Sequence, residues 1–321
     1  MTFCVLSSVK GMNIKMKKVK INQISNWIHK NARELEITIW NYHFENGSKN
    51  DVVDTLLYYQ NEDGGFGNAV DPDNWNINSL PYATLYAINI LKDIEYFDMH
   101  HPIYLGIRKY LNNETFSPNG WTFTIPSNKD YPHASFYNFD NDYNKTESTG
   151  IILGFCSFII EYNKDSNLYQ TVIRLINDLM DKLSSDNLGD MGPTGYIALI
   201  ESMKRINLEG YDYDKLDLRL QELVSNSIQR NPKQWKFYGY RPSDYIKSKN
   251  SIFYQENKDI VEVELDFLFD TLPNNDVWPI SWSWFENNAV YPKEAVISEN
   301  WCKAIKAIER VKFLRNFGRL V

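Results

Sequence analysis

The seven residues Asn61-Glu62-Asp63-Gly64-Gly65-Phe66-Gly67 limit what this chain can fold into more than any other stretch of it. Three glycines in four positions permit positive φ and close backbone approach, and no helix continues through them. Both flanks read as helices. Val52 to Tyr59 runs into the turn. Past a polar loop, Pro81 stands where a first-turn proline is tolerated, behind Ser79 as N-cap, and Tyr82 to Ile94 is apolar along one face. The turn therefore joins two helices.

The same grammar recurs along the chain. Ahead of the turn, Ile21, Ile24, Trp27, Ile28, Leu35, Ile39 and Trp40 fall largely at three- and four-residue spacing, as one amphipathic helix or a broken pair requires. Downstream, helices are expected around Ile103 to Leu111, Thr149 to Ile160, Leu168 to Leu183, Thr194 to Ile206, Leu216 to Gln229, Val261 to Leu272 and Ser298 to Phe317. Five or six helix-loop-helix units of roughly 40 to 55 residues mark a solenoid or a closed helical array. No long linker or capping region divides them, so the reading is closure. The expectation is a single all-α domain over residues 21–321, an α/α toroid of five to six helical pairs with long loops and little β structure. A short hairpin is expected near Trp235 to Tyr254, where aromatic residues partly alternate.

With 43% hydrophobic and 15% aromatic residues, 321 residues can bury a large core. The net charge of −7 argues against a nucleic-acid or anionic-membrane surface, which gains from a Lys/Arg excess. The one basic stretch, Lys15 to Lys20, falls within residues 1–20, read as a solvated N-terminal tail. Cys4, Cys156 and Cys302 lie far apart and are odd in number, which gives neither a disulfide framework nor a CxxC metal site and fits a reducing compartment. Thr2 to Val9 is too short for the core of a signal peptide, and the basic residues follow it. No export signal and no transmembrane span are read, and a cytoplasmic location is expected.

The stretch Leu56-Leu57-Tyr58-Tyr59-Gln60-Asn61-Glu62-Asp63-Gly64-Gly65-Phe66-Gly67 resembles the QW-type repeat of squalene-hopene cyclases and protein prenyltransferase β subunits. In that family a Gln at a helix end precedes Asp-Gly-Gly and an aromatic residue; here Phe66 replaces the usual Trp. Asn119-Gly120-Trp121 is a weaker echo, and Asp276-Val277-Trp278-Pro279, with Trp282, Trp284 and Trp301 after it, is similar to a degenerate terminal repeat. The resemblance implies the α/α toroid of terpenoid cyclases. Gln and Asp side chains in such a repeat bond helix ends and loop amides while the aromatic packs on the next unit.

Directly after the turn, Asp71-Pro72-Asp73-Asn74-Trp75 is similar to the Asp-x-Asp-Asp acid motif of class II terpene cyclases, with Asn in the last place. That chemistry protonates an alkene or epoxide, so one carboxylic acid must stay neutral beside an apolar cavity. The resemblance implies Asp73 as the acid and Asp71 and Asn74 as its surroundings. Asp-Pro-Asp-Asn is equally an ordinary turn sequence, with Pro presetting φ.

A loop from Asn112 to Lys145 is long enough to be functional. Within it, His133 is a candidate donor to Asp73 or a general base, or else a packed hydrogen-bonding residue. Glu147, read as lying two residues before a helix start, is a candidate carboxylate partner or a compensator of the helix dipole. Asp63 and Asp190 lie on other inter-helix loops. Trp75, Trp121, Tyr131, Trp282 and Trp284 are candidate lining for an apolar or cationic intermediate, sugar rings being the other use of such faces. Asn300-Trp301-Cys302 has Asn where zinc-binding prenyltransferases carry Asp, and all five histidines fall at or before His133. No metal site and no cofactor motif is read.

The expectation is therefore a terpenoid-cyclase-like isomerase or lyase that acts on a hydrophobic isoprenoid without a metal. A glycan-active toroid with paired carboxylates and a non-catalytic small-molecule or peptide binder stand as alternatives. The oligomeric state is not legible.

Overall fold

The computed structural model describes residues 17–113, 120–183, 188 and 192–321. Cys4, Asn119, Asp190 and residues 1–16 of the expected tail lie outside the described residues. The fold is all-α. In order, the helices are α1 (Ile21–Asn31), α2 (Glu34–Phe44), α3 (Lys49–Leu57), α4 (Pro81–Asp93), α5 (Pro102–Asn113), α6 (Asn141–Tyr162) and α7 (Tyr169–Leu183). They continue as α8 (Thr194–Arg205), α9 (Tyr213–Ser227), α10 (Pro242–Tyr245), α11 (Tyr254–Thr271), α12 (Asn287–Val290) and α13 (Pro292–Asn316). Among the described residues, β structure is confined to isolated bridges.

The periodic run from Ile21 to Phe44 is a broken pair. Arg33 takes extended backbone angles between α1 and α2, and its guanidinium turns inward. The glycine turn does join α3 to α4. Gln60 Nε2 donates to the Gly64 and Ile103 carbonyls, both at 2.9 Å, tying the turn to α5. Asp63 Oδ1 accepts from Gly65 N at 2.9 Å and from the Ser79 hydroxyl at 2.6 Å. Ser79 is thus bound to the turn; the N-cap position of α4 is Leu80, with Pro81 first in the helix as expected. Gly64 has φ +92°, and a Cβ there would fall onto the Gly106 carbonyl, so both the conformation and the close approach exclude a side chain.

Two kinds of helix build the core. α7 buries only the stripe Val172, Leu175, Ile176, Leu179 and Leu183, at amphipathic spacing. α4 and α6 are buried on most sides, and α6 packs against α4, α7 and α8. Gly154 lets the Leu85 side chain lie against the α6 backbone.

The two ends of the described chain meet. Val19 N donates to Arg319 O at 2.8 Å and Val321 N to Val19 O at 3.0 Å, while α13 packs on α1 and α2. Val19, which falls within the expected tail of residues 1–20, is 2% exposed and bridges to Leu320. Lys17 is also engaged, with Asp270 at 2.7 Å.

Two further expectations are corrected. No hairpin forms at Trp235 to Tyr254: a 3₁₀ turn at Pro232–Gln234 leads into it and the short α10 lies within it, each opened by a proline that has no N–H for a ladder. α6 begins at Asn141, eight residues before the expected start, because Asp140 caps it by accepting from Asp142 N and Tyr143 N at 2.7 and 2.8 Å. The expected long loop shortens accordingly and holds 3₁₀ turns at Pro126–Asp130 and Ser135–Tyr137.

Candidate active site

The Asp71 to Trp75 turn is fastened from three directions. Beneath it, Arg33 donates to the Ala69 carbonyl and, at 2.7 Å, to the Val70 carbonyl, and it is itself held by Glu36 at 2.8 Å. Beside it, the segment Pro132 to Ala134 pairs with it antiparallel. Trp75 N donates to Pro132 O at 2.9 Å and Ala134 N to Asp73 O at 2.8 Å. From α13, Ser298 Oγ donates to Pro72 O at 2.6 Å, and Trp301 stacks on Trp75 with ring centres 5.4 Å apart.

So held, both aspartates are buried, each 7% exposed. Asp73 accepts three side-chain hydrogen bonds: Trp284 Nε1 at 2.7 Å and Cys302 Sγ at 3.5 Å on Oδ1, and Trp282 Nε1 at 2.8 Å on Oδ2. Asp71 accepts from Asp73 N at 3.1 Å and from the Tyr137 hydroxyl. Burial and then the charge of Asp73 push the Asp71 carboxyl up to about 7, only partly opposed by Tyr137, the Asp73 amide and Arg33. Burial also raises the Asp73 carboxyl, against the three donors that favour its anion. Burial and the charge of Asp71 keep the Tyr137 hydroxyl protonated well beyond the ordinary tyrosine range, so it remains a donor. The Cys302 thiol is raised by burial and by both aspartates. Burial thus holds both carboxyls toward their protonated forms, Asp71 further because the charge of Asp73 lies beside it.

Asp73 forms part of the wall of an open pocket of about 280 Å³, with Trp282, Trp284, Ile280 and Val296 beside it and Glu299 of α13 on the same wall. Of the residues singled out in the sequence, Asp71, Asp73, Trp282 and Trp284 are brought together here. Asn74 is adjacent and 2% exposed. Its Oδ1 accepts from Asn76 N at 3.1 Å, while its Nδ2 has no hydrogen-bond partner among the described residues. Trp75 is fastened by its indole to Ser298 Oγ at 2.9 Å and Pro72 O at 3.0 Å.

The others lie elsewhere or act differently. His133 is buried beside the turn, yet its ring meets Tyr131 O at 2.6 Å and Asn138 Oδ1 at 2.8 Å, so it does not orient Asp73. Its backbone carbonyl accepts from Asn287 Nδ2 at 2.8 Å instead. Tyr131 serves through its backbone. Trp121 is core, edge-on to Phe155 at 5.0 Å. Glu147 is buried in the second turn of α6, not ahead of the helix, and Asp140 does the capping expected of that region. Asp63 belongs to the glycine turn.

The sequence marked neither Tyr137, Arg33 nor Glu299, and Cys302 entered only as a zinc ligand considered and set aside. Nothing local marks them, since each matters through a partner distant in sequence. Among the described residues, no three His, Cys, Asp or Glu side chains converge to hold a metal ion, and no helix is long and apolar enough to cross a membrane. In comparisons with known proteins, no family model, no curated protein and no solved structure matches this chain.

Proposed function

We propose that this chain is an acid–base enzyme of the terpenoid-cyclase kind, built as an α/α toroid, in which the Asp71–Asp73 pair protonates a hydrophobic, isoprenoid-like substrate. The observation that carries the reading is Asp73, buried beside Asp71 and held by the Trp282 and Trp284 indoles, on the wall of a tryptophan-lined pocket, with burial raising both carboxyls. Asp73, on the pocket wall, delivers the proton. Asp71, hydrogen-bonded to Tyr137, resupplies it. Trp282 and Trp284 stabilise the carboxylate left behind through their N–H groups and present ring faces to developing positive charge. Closure is supported by α4, α6 and α8 packing side by side and by α13 returning onto α1 and α2. A pocket of about 280 Å³ stands at the low end of the ~300–1,000 Å³ of ligand sites, which favours a short chain.

Incubating the protein with isoprenoids of several chain lengths tests this. Product is expected from the wild type and a loss of roughly a hundredfold or more from Asp73→Asn. Undiminished product from that variant removes Asp73 from the mechanism. Glu299, facing the same pocket as Asp73, supports a second reading as a glycan-active enzyme. Release of sugar that Glu299→Gln abolishes, with isoprenoids untouched, would decide for it.

A further inference from the structure

The pocket beside Asp73 has a one-sided charge. Its apolar lining includes Ile280, Trp282, Ala295 and Val296, and its two charged side chains are the carboxylates of Asp73 and Glu299. Among the described residues no lysine, arginine or histidine lines it. Glu299 enters from α13 on the same face as Ala295, four residues before it. Cys302, three residues further on, touches Asp73 at 3.5 Å. Glu299 is therefore rooted about 4.5 Å along the helix axis from that contact.

The cations that could neutralise Glu299 are engaged elsewhere. On a helix a glutamate pairs readily with a lysine four residues on, and Lys303 holds that place. Lys303 turns instead to Asp276 at 2.8 Å and lies over the Trp27 ring at 5.0 Å. Lys306, a turn further along α13, is held by Glu309 at 2.7 Å. Among the described residues no hydrogen bond or ion pair reaches the Glu299 side chain, which is exposed. Trp282 is half-buried, with its indole N–H fixed on Asp73 Oδ2 at 2.8 Å. Lys306 Nζ lies 5.9 Å from the centre of that ring, at the outer limit of a cation–π contact, so the ring is little committed. An unpaired carboxylate, an aromatic ring and an apolar wall in one pocket suit a positive charge wrapped in alkyl groups. A metal ion would ask for more oxygen ligands than two carboxylates supply, and a bare ammonium would leave Ile280 and Val296 without apolar contact.

We propose that this pocket binds an alkylated ammonium ion, with Glu299 as its charge partner and the Trp282 ring, Ile280 and Val296 covering its alkyl groups. The binding rests on the pocket alone. Joined to the proposed acid role of Asp73, it also assigns Glu299 a part in the reaction, and that second statement alone rests on the reading above. When the proton passes from the Asp73 carboxyl to a double-bond carbon, the π pair forms the new C–H bond and the neighbouring carbon is left positive. Glu299 faces that charge, as it faces the ammonium.

Calorimetric titration of the full chain tests the site with three probes. Choline carries the alkylated charge, 3,3-dimethyl-1-butanol has the same shape with carbon in place of the nitrogen, and ethanolamine keeps a charge without the methyl groups. Choline should bind about tenfold or more tightly than either of the others. Glu299→Gln should weaken choline about tenfold and leave the neutral isostere unchanged, and Glu299→Lys should abolish choline binding. Because Glu299 is exposed and unpaired, both variants should melt with the wild type by circular dichroism. Absence of choline binding, equal binding of choline and its neutral isostere, ethanolamine binding as tight as choline, or indifference to Glu299→Gln overturns the site. Glu299-dependent choline binding in a protein that turns over no isoprenoid leaves the site standing and removes the acid role, whereas isoprenoid turnover without choline binding does the reverse.

Discussion

Asp71→Asn separates chemistry from turn-building most cleanly, because the two make opposite predictions about stability. The Asp71 carboxyl titrates at about 7 in the fold against an ordinary 3.8. Its folded value is raised, so the fold is favoured while the group is protonated and loses stability as pH rises from the unfolded value toward the folded one. Each unit is worth about 1.36 kcal/mol. Between pH 5 and pH 7 the loss is therefore about 2 kcal/mol, rising to about 3 kcal/mol by pH 8, where it levels off. Asparagine keeps the oxygen that accepts from Asp73 N, and its amide can donate to the Tyr137 oxygen, so the turn survives while the titration disappears. Urea denaturation of both proteins at pH 5 and pH 8 reads the difference. The stability gap should shift in favour of the variant by about 3 kcal/mol on going to pH 8. A gap that stays constant between the two pH values would refute the reasoning, since it would mean that Asp71 is ionised throughout and serves only as a turn residue.

Trp284→Phe removes one of the two indole donors to Asp73. Hydrogen bonds to charged groups are worth about 1.5–3 kcal/mol, so the Asp73 carboxyl should climb by a further one to two units, read by ¹³C NMR titration of the aspartates; an unmoved signal would deny the contact. Arg33→Met leaves Glu36 buried without its partner and two carbonyls without a donor. Its expected cost is about 3–5 kcal/mol in urea unfolding, largely recovered in the double variant with Glu36→Leu. Failure of the second substitution to recover stability would show that the carbonyl contacts, and not the stranded charge, dominate. Gly106→Ala drives a Cβ into the Gln60 amide, and overpacking of that kind costs about 1–3 kcal/mol; a neutral result in the same assay would mean the clamp is loose.

The helices were legible because they rest on local periodicity: every long helix lies where its apolar spacing puts it, except that α6, α11 and α13 begin eight, seven and six residues before their expected starts. The start of α6 failed because Asn141 to Ser148 is polar, and such a stretch carries no stripe to read even where an Asp cap fixes its start. The hairpin failed for a related reason. Alternating aromatics predict a strand only if a ladder of backbone partners is available, and here the segment is satisfied by local turn bonds and a buried Trp235 instead. At the site, Asp71 and Asp73 were found through a short motif, whereas Tyr137 and Cys302 gained meaning only from contacts across 66 and 229 positions. His133 shows the limit of reading proximity as role: it lies beside the Asp73 turn, and its ring bonds Tyr131 and Asn138 instead.

Those long-range partners also bear on whether Asp71-Pro72-Asp73-Asn74 is merely a turn. A turn asks for groups that accept from nearby amides, and asparagine supplies them as well as aspartate does. Two aspartates buried side by side instead impose a penalty that grows to several kcal/mol at neutral pH, large against the ~5–15 kcal/mol of net stability of a typical protein. The donors around Asp73 do not remove that penalty, and they come from the opposite end of the chain, 209 to 229 positions away. Cys302 is in place only once α13 has docked on α1 and α2, so the full set of donors to Asp73 depends on the two ends of the chain coming together. A conflict between local requirement and global cost, kept in place by distant residues, is the mark of a functional site, and it weighs the motif toward chemistry.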